Sequence, residues 1–323
     1  MKRLLCLALL LGSTVSTQAV IVAGARGGGD NLNNTTRAEL ETIVDDGFFF
    51  DHVFTLGAGN GVYLGYSPDP GGPVGYALTA MHIDLQGATT LTIEGETYDI
   101  LDSRTAIDSS DLALIRFTHP TNQMPSLPAL SLAPAAPANG TPVVMIGRGR
   151  NRSQAATTDA DVSDAVSVTG GTGYTTTTPR LKRWGTNNTV EYPGPGASPG
   201  SPTTTETIGG ISTTVFRTFF DEPSTGEWLT TNQAQGVTND SGGGVFSHDG
   251  LLLGIMVAVQ RPQGASANDA RFGNATLMAD IATYKTLIDE ETGGMLIPEP
   301  ATAALLLGAL AILYGTRRSR SPA

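Results

Sequence analysis

Cysteine is almost missing from this chain of 323 residues, with Cys6 as its single example. An intrachain disulfide and a cluster of thiolate metal ligands are therefore both excluded. Charge is scarce as well: charged residues make up 15% of the sequence, against roughly 25% in an average soluble domain. The charge present runs acidic, with 19 Lys and Arg against 30 Asp and Glu and a formal net charge of −11. That balance argues against a nucleic acid or an anionic membrane surface as partner. No internal repeat at a fixed period occurs. Gly (40) and Pro (19) are plentiful instead, the profile of a turn-rich, β-dominated protein rather than a helical bundle.

Both ends read as addresses. Met1-Lys2-Arg3 is a basic start, Leu4 to Leu11 is a short apolar run, and "STQA" (Ser16–Ala19) supplies small residues for signal peptidase. Residues 1–19 are thus expected to be a signal peptide cut after Ala19, which would carry Cys6 away. At the other end Pro298-Glu299-Pro300 precedes an apolar run from Ala301 to Gly315, followed by Arg317, Arg318 and Arg320. The arginines stay cytoplasmic by the positive-inside rule. The run is shorter than the roughly 20 residues of a comfortable span, which suits a transient anchor. This order of features resembles the PEP-CTERM sorting signal, here residues 295–323. The resemblance implies recognition and cleavage by an exosortase in a Gram-negative bacterium. The protein would be exported, held briefly in the inner membrane by this segment alone, and then reach the cell surface or the medium.

Between these ends the chain alternates short apolar segments with Gly, Pro, Asn and Asp. "GVYLGY" (Gly61–Tyr66) and "VGYALTAMH" (Val74–His82) read as strands, and "TTLTIEGETYDIL" (Thr89–Leu101) as a hairpin around Glu94-Gly95-Glu96. "DLALIRF" (Asp111–Phe117) is almost wholly apolar, as in a strand buried on both faces. The proline-rich stretch 123–140 reads as a linker between a domain at 20–122 and a second at 141–294. "TPVVMIGRGR", "TTVFRTFF" and "GGGVFSHDGLLLGIMVAVQ" supply a second β set, and Tyr192 to Gly210 reads as a long surface loop. Leu277, Ile281, Tyr284 and Ile288 fall at helical spacing, which predicts a terminal helix from near Asn274 to just before Gly293.

Chemistry points to one histidine of four. His52 follows an aromatic run, His119 precedes a proline and His248 sits in a turn, all structural or surface positions by pattern. His82 ends a strand, and Asp111 and Ser241 follow it in order, the serine inside "NDSGGGVF" (Asn239–Phe246). A serine hydroxyl needs a base within hydrogen-bond reach, and histidine acts as that base best when a buried carboxylate fixes its tautomer. The order His, Asp, Ser differs from that of subtilisins and α/β-hydrolases.

"LTAMH" (Leu78–His82), "SSDLALIRF" (Ser109–Phe117) and "NDSGGGVF" resemble, in the same order, three motifs of the trypsin-like serine peptidases. The resemblance spans roughly residues 55–290 and implies an all-β fold of two antiparallel six-stranded barrels with a C-terminal helix. It makes His82 the general base and acid, Asp111 its orienting carboxylate and Ser241 the nucleophile. The backbone N–H groups of Asn239 and Ser241 would form the oxyanion hole, with Asn239 standing where the family has glycine. Gln235, Val257 and Val259 would shape the specificity pocket, which implies small or medium uncharged side chains rather than cations. Val257 also stands where the family has a serine whose hydroxyl meets the catalytic acid. "IVAG" (Ile21–Gly24) resembles the activated N-terminus of the family, whose amine would pair with Asp240. No cofactor or metal is implied. The expected partners are a polypeptide substrate, signal peptidase and exosortase, and the expected state is a monomer. Two rivals share these motifs: a silent homologue that binds polysaccharide or protein at the cell surface, and an esterase with the same nucleophile. The intact set of three residues disfavours the first, and the chain order disfavours the second.

Overall fold

A computed structural model describes residues 20–22, 35–102, 104–152, 166–168, 171–177, 181–191, 201–221, 233–261 and 269–294. The expected signal peptide and sorting segment lie outside the described residues. The chain is mostly β, with three short helices among the described residues. First come β1 (Ile21–Val22) and two single-turn helices, α1 (Arg37–Leu40) and α2 (Phe49–His52). Seven strands follow: β2 (Val53–Leu56), β3 (Gly59–Ser67), β4 (Val74–Ala80), β5 (Thr90–Ile93), β6 (Glu96–Ile100), β7 (Thr105–Ala106) and β8 (Leu112–Thr118). They pair antiparallel in the order β2-β3-β4-β8-β6-β5, with β7 attached to β8. Strands β2 and β5 at the two ends approach each other, so the sheet is nearly closed.

The second half holds β9 (Pro142–Gly147), β10 (Asn151–Arg152), β11 (Val166–Val168), β12 (Gly171–Thr177) and β13 (Arg183–Asn188). It continues through β14 (Thr204–Ile208), β15 (Ile211–Phe219), β16 (Ala234–Gln235), β17 (Gly244–Phe246), β18 (Leu252–Gln260), β19 (Asp269–Arg271), β20 (Ala275–Asp280) and α3 (Ile281–Glu291). Seven of these strands form a sheet in the order β13-β9-β17-β18-β20-β15-β14. A bridge from Thr189, just past β13, to Thr218 in β15 draws the first six toward closure. The resemblance implies six strands per barrel, and each sheet has six in its circuit plus an appended seventh, β7 or β14. Beyond that expectation, β1 pairs with β16, and β10, β11, β12 and β19 make a small separate sheet.

The apolar run of β8 has a packing cause. Tyr63, Ala77, Ile115 and Phe117 face inward with Leu91, Ile93 and Tyr98 to fill the first sheet. Their neighbours Val62, Leu64, Leu78, Leu112 and Leu114 face the other way, into a core shared with Val144, Ile146, Phe246 and Ile255 of the second sheet. A strand apolar on both faces loses the alternation that marks a half-buried one. Residues 123–140 cross between the sheets with main-chain ties to both. The Leu130 N–H donates to the Leu64 carbonyl at 2.8 Å and the Ala133 N–H to the Leu252 carbonyl at 3.0 Å.

Two expectations are corrected. The loop read from Tyr192 to Gly210 contains a strand, because Thr204–Ile208 pairs with Ile211–Val215. Gly209 and Gly210, at φ 57° and 89°, make the two-residue left-handed turn that joins such strands. Threonine-rich sequence among prolines and serines reads as loop by composition, yet its β-branching suits an edge strand. The terminal helix is also shorter than its periodicity suggests. Ala275–Asp280 is strand β20, fully buried between β15 and β18, and the helix begins only at Ile281. Asp280 is the N-cap, its carboxylate accepting from the Thr283 N–H.

Candidate active site

Strand pairing sets the first two residues. Ala80 at the end of β4 lies opposite Leu112 at the start of β8. The residues just outside that pair, Met81-His82 and Asp111, are therefore brought together. The Met81 N–H donates to the Asp111 carbonyl at 3.1 Å, and the His82 N–H donates to Asp111 Oδ1 at 2.8 Å. The other carboxylate oxygen, Oδ2, lies 2.7 Å from His82 Nδ1. Asp111 is fully buried, while the His82 side chain is 36% exposed. Two N–H groups thus satisfy one buried carboxylate, and with Nδ1 as donor the free lone pair of the ring sits on Nε2.

Nε2 meets Ser241 Oγ at 2.9 Å. Ser241 lies in the loop leading to β17, which pairs with β9 and β18. Gly242 takes φ +81°, and a Cβ there would run into the Asn60 carbonyl oxygen, so glycine is required by both conformation and space. Asn239 also lies in the left-handed region, at φ +78°, where asparagine is among the few side chains tolerated. Its Nδ2 donates to the Ala58 carbonyl at 2.7 Å. Among the described residues the backbone N–H groups of Asn239 and Ser241 have no hydrogen-bond partner. The structure therefore gathers His82, Asp111 and Ser241 into one hydrogen-bonded row beside two unengaged main-chain donors. Such a row can move the serine proton to the imidazole, and such donors can receive a developing oxyanion.

A cavity of about 500 Å³ opens beside the row, lined by His82, Ser241, Val257, Val259, Thr276 and Arg261 among others. Val257 and Val259 both line it. Gln235 is not among the lining residues. It is 1% exposed in β16, paired with Ile21, and its amide atoms have no partner among the described residues. Thr276 also lines the cavity; it lies opposite Val259 across β18 and β20 and accepts from the Gly236 N–H at 3.0 Å. Burial pushes the Arg261 guanidinium down from its ordinary value, and Asp269 counters it. Asp240 is buried, its Oδ1 accepting from the Gly149 N–H at 2.6 Å and its Oδ2 from the Val237 N–H at 2.8 Å. Ile21 is engaged in strand pairing with Gln235, and Val20 before it is 1% exposed.

Three supporting residues escape the sequence motifs. Arg104 donates to the carbonyls of Met81 and Ile83, on either side of His82. Thr213 of β15 accepts from the Asp111 N–H at 2.8 Å, so a hydroxyl does reach this acid, at its backbone rather than its carboxylate. Asn60, fully buried at the start of β3, donates from Nδ2 to the carbonyls of Asn239 and Ser241. The other histidines stand apart. His52 is buried against the Pro128 carbonyl, His119 bonds Thr121, and His248 is exposed in a turn. No group of three or more potential metal ligands occurs among the described residues.

No protein-family model matches the chain, and no curated protein matches it. Among solved structures, it is similar to Rv3671c from M. tuberculosis in an inactive form, with 13% identity and a TM-score of 0.43 over 85% of this chain and 98% of that one. The active form of the Rv3671c protease gives 14% identity and a TM-score of 0.43 over 82% and 89%. The HtrA-type protease AlgW with a decapeptide gives 15% identity and a TM-score of 0.39, over 72% of this chain and half of that one.

Proposed function

We propose that the protein is a serine endopeptidase that cleaves polypeptides through an acyl-enzyme. The observation that carries this is the row from Asp111 through His82 to Ser241, with contacts of 2.7 and 2.9 Å. Ser241 Oγ attacks the scissile carbonyl while His82 Nε2 takes its proton. Asp111 holds the ring and stabilises the imidazolium, and the N–H groups of Asn239 and Ser241 receive the oxyanion. His82 then returns the proton to the leaving amine, and water repeats the sequence on the acyl-enzyme. Val259 and Thr276 line the pocket, which favours small or medium uncharged side chains. Export through residues 1–19 and sorting through residues 295–323 belong to the same reading. A chain cut after Ala19 would begin at Val20, one residue ahead of the Ile21 whose amine the resemblance pairs with Asp240. Hydrolysis of casein by the mature protein, lost in Ser241→Ala with the fold retained, tests the assignment. Cleavage of esters but not casein would favour an esterase, and undiminished casein hydrolysis in the variant would sink the role of Ser241.

A further inference from the structure

We propose that Asn60 is a positioning residue that holds the oxyanion hole open from the first sheet, through the carbonyl groups of the serine loop. The proposal rests on the acyl-transfer reaction assigned to Ser241. Every carbonyl from Thr238 to Ser241 is captured by a donor. The Thr238 oxygen accepts from the Arg150 N–H at 3.1 Å, and the Asp240 oxygen from the Gly243 N–H at 2.9 Å. The remaining two belong to Asn60. Its Nδ2 donates to the Asn239 oxygen at 2.9 Å and to the Ser241 oxygen at 3.3 Å, and its backbone N–H donates to the Ser241 oxygen at 2.9 Å. A peptide plane carries its C=O and N–H in opposite directions. The Thr238 and Asp240 carbonyls therefore fix the N–H groups of Asn239 and Ser241, the two left unengaged, and Asn60 holds the Asn239–Asp240 peptide plane that joins those two planes.

Asn60 supplies what the backbone bonds do not. Asn239 sits at φ +78°, a conformation that costs a non-glycine residue energy and persists only where neighbours hold it. The Asn239 carbonyl is gripped by Asn60 and its side chain by the Ala58 carbonyl, so both ends of the strained residue are tied to the chain just before and at the start of β3. The carboxamide has one orientation that works. Its Oδ1 is buried without a partner among the described residues, and a flip would set that oxygen against two carbonyls. The Asn60 carbonyl is held in turn by Thr79 Oγ1 at 2.6 Å.

Asn60→Asp keeps the side-chain volume and replaces the donor with an oxygen. In the full chain, kcat for a small peptide ester is expected to fall about tenfold or more, with KM changed by less than about threefold. The affinity of a peptide aldehyde, which forms a hemiacetal oxyanion on the serine, should weaken by the same factor as kcat. Thr79→Val removes the bond that holds the Asn60 carbonyl without touching the carboxamide, and is expected to lower the melting temperature with a smaller loss of kcat than Asn60→Asp. If Asn60→Asp does not fold, Asn60→Ala removes the donor without adding a charge and should show the same split. Wild-type kcat and aldehyde affinity in a folded Asn60 variant overturn the proposal, as does an equal loss in Thr79→Val. A wild-type chain that neither turns over the ester nor binds the aldehyde overturns the peptidase assignment itself.

Discussion

Replacing Asp111 with asparagine tests the proton path at its least exposed point. The carboxylate serves two donors, the His82 N–H on Oδ1 at 2.8 Å and the ring Nδ1 on Oδ2 at 2.7 Å. A carboxamide has one oxygen for these two positions. If that oxygen stays with the backbone N–H, the NH2 group faces Nδ1 and makes it an acceptor. The ring proton must then move to Nε2, where it points at Ser241 Oγ and leaves no lone pair to take the serine proton. The expected loss in kcat is about 10⁴-fold, the size seen when a histidine base is held in its wrong tautomer. At 1.36 kcal/mol per decade this corresponds to about 5.4 kcal/mol of lost transition-state stabilisation. The fold should survive, because the Asp111 backbone keeps its bonds to Met81 and Thr213. Steady-state hydrolysis of a peptide ester at neutral pH is the assay, with circular dichroism as the check on folding. A folded variant with kcat within tenfold of wild type would refute the coupling of Asp111 to His82.

Three further outcomes follow from other parts of the molecule. Gly242→Ala should destabilise by about 3 kcal/mol or more, because it combines a positive φ with a clash against the Asn60 carbonyl, and a melting temperature within a degree of wild type would contradict this. Burial raises the Asp280 carboxyl above its ordinary value, against the opposing pull of its bonds to Thr283. The folded state therefore binds the proton more tightly than the unfolded one, and this group's contribution to stability falls as pH rises from the unfolded pKa through the raised folded value. Denaturant titrations from pH 3 to 7 should show that Asp280→Asn loses this component, and identical pH slopes in both proteins would be the contrary result. For the tail, mass spectrometry of the protein from the culture medium should find an end near residues 296–301. Normal export and trimming after Pro298-Glu299-Pro300 is changed to alanines would remove the sorting claim.

The row of three was legible because each member sits in a short local motif, and strand order then brings the motifs together. "DLALIRF" was equally clear, since a strand covered on both faces writes its burial directly into the sequence. Helix α3 was legible in kind but not in extent. Leu277 falls on the same helical stripe as Ile281, Tyr284 and Ile288, yet Leu277 is buried in β20 by pairing with β15 and β18. Spacing alone does not distinguish a buried strand that leads into a helix from one longer helix. Arg104 and Thr213 were hidden for a different reason, since each acts on a residue 21 to 102 positions away in the chain. "GNG" around Asn60 reads locally as a turn, and its partners lie 179 and 181 residues further on. The burial of Gln235 was not legible, because it comes from the pairing of β16 with β1, more than 200 residues earlier in the chain.

In the proposed reaction the Ser241 hydroxyl is a nucleophile activated by His82. A fluorophosphonate reacts with such a hydroxyl by displacement of fluoride at phosphorus, and the surrounding N–H donors stabilise the charged oxygen. Intact-mass and peptide mass spectrometry of the treated mature protein should show a single adduct, located on Ser241. Labelling should vanish in Ser241→Ala and become much slower in His82→Ala. A folded wild-type protein that stays unlabelled, or carries the adduct on another serine, would contradict the account.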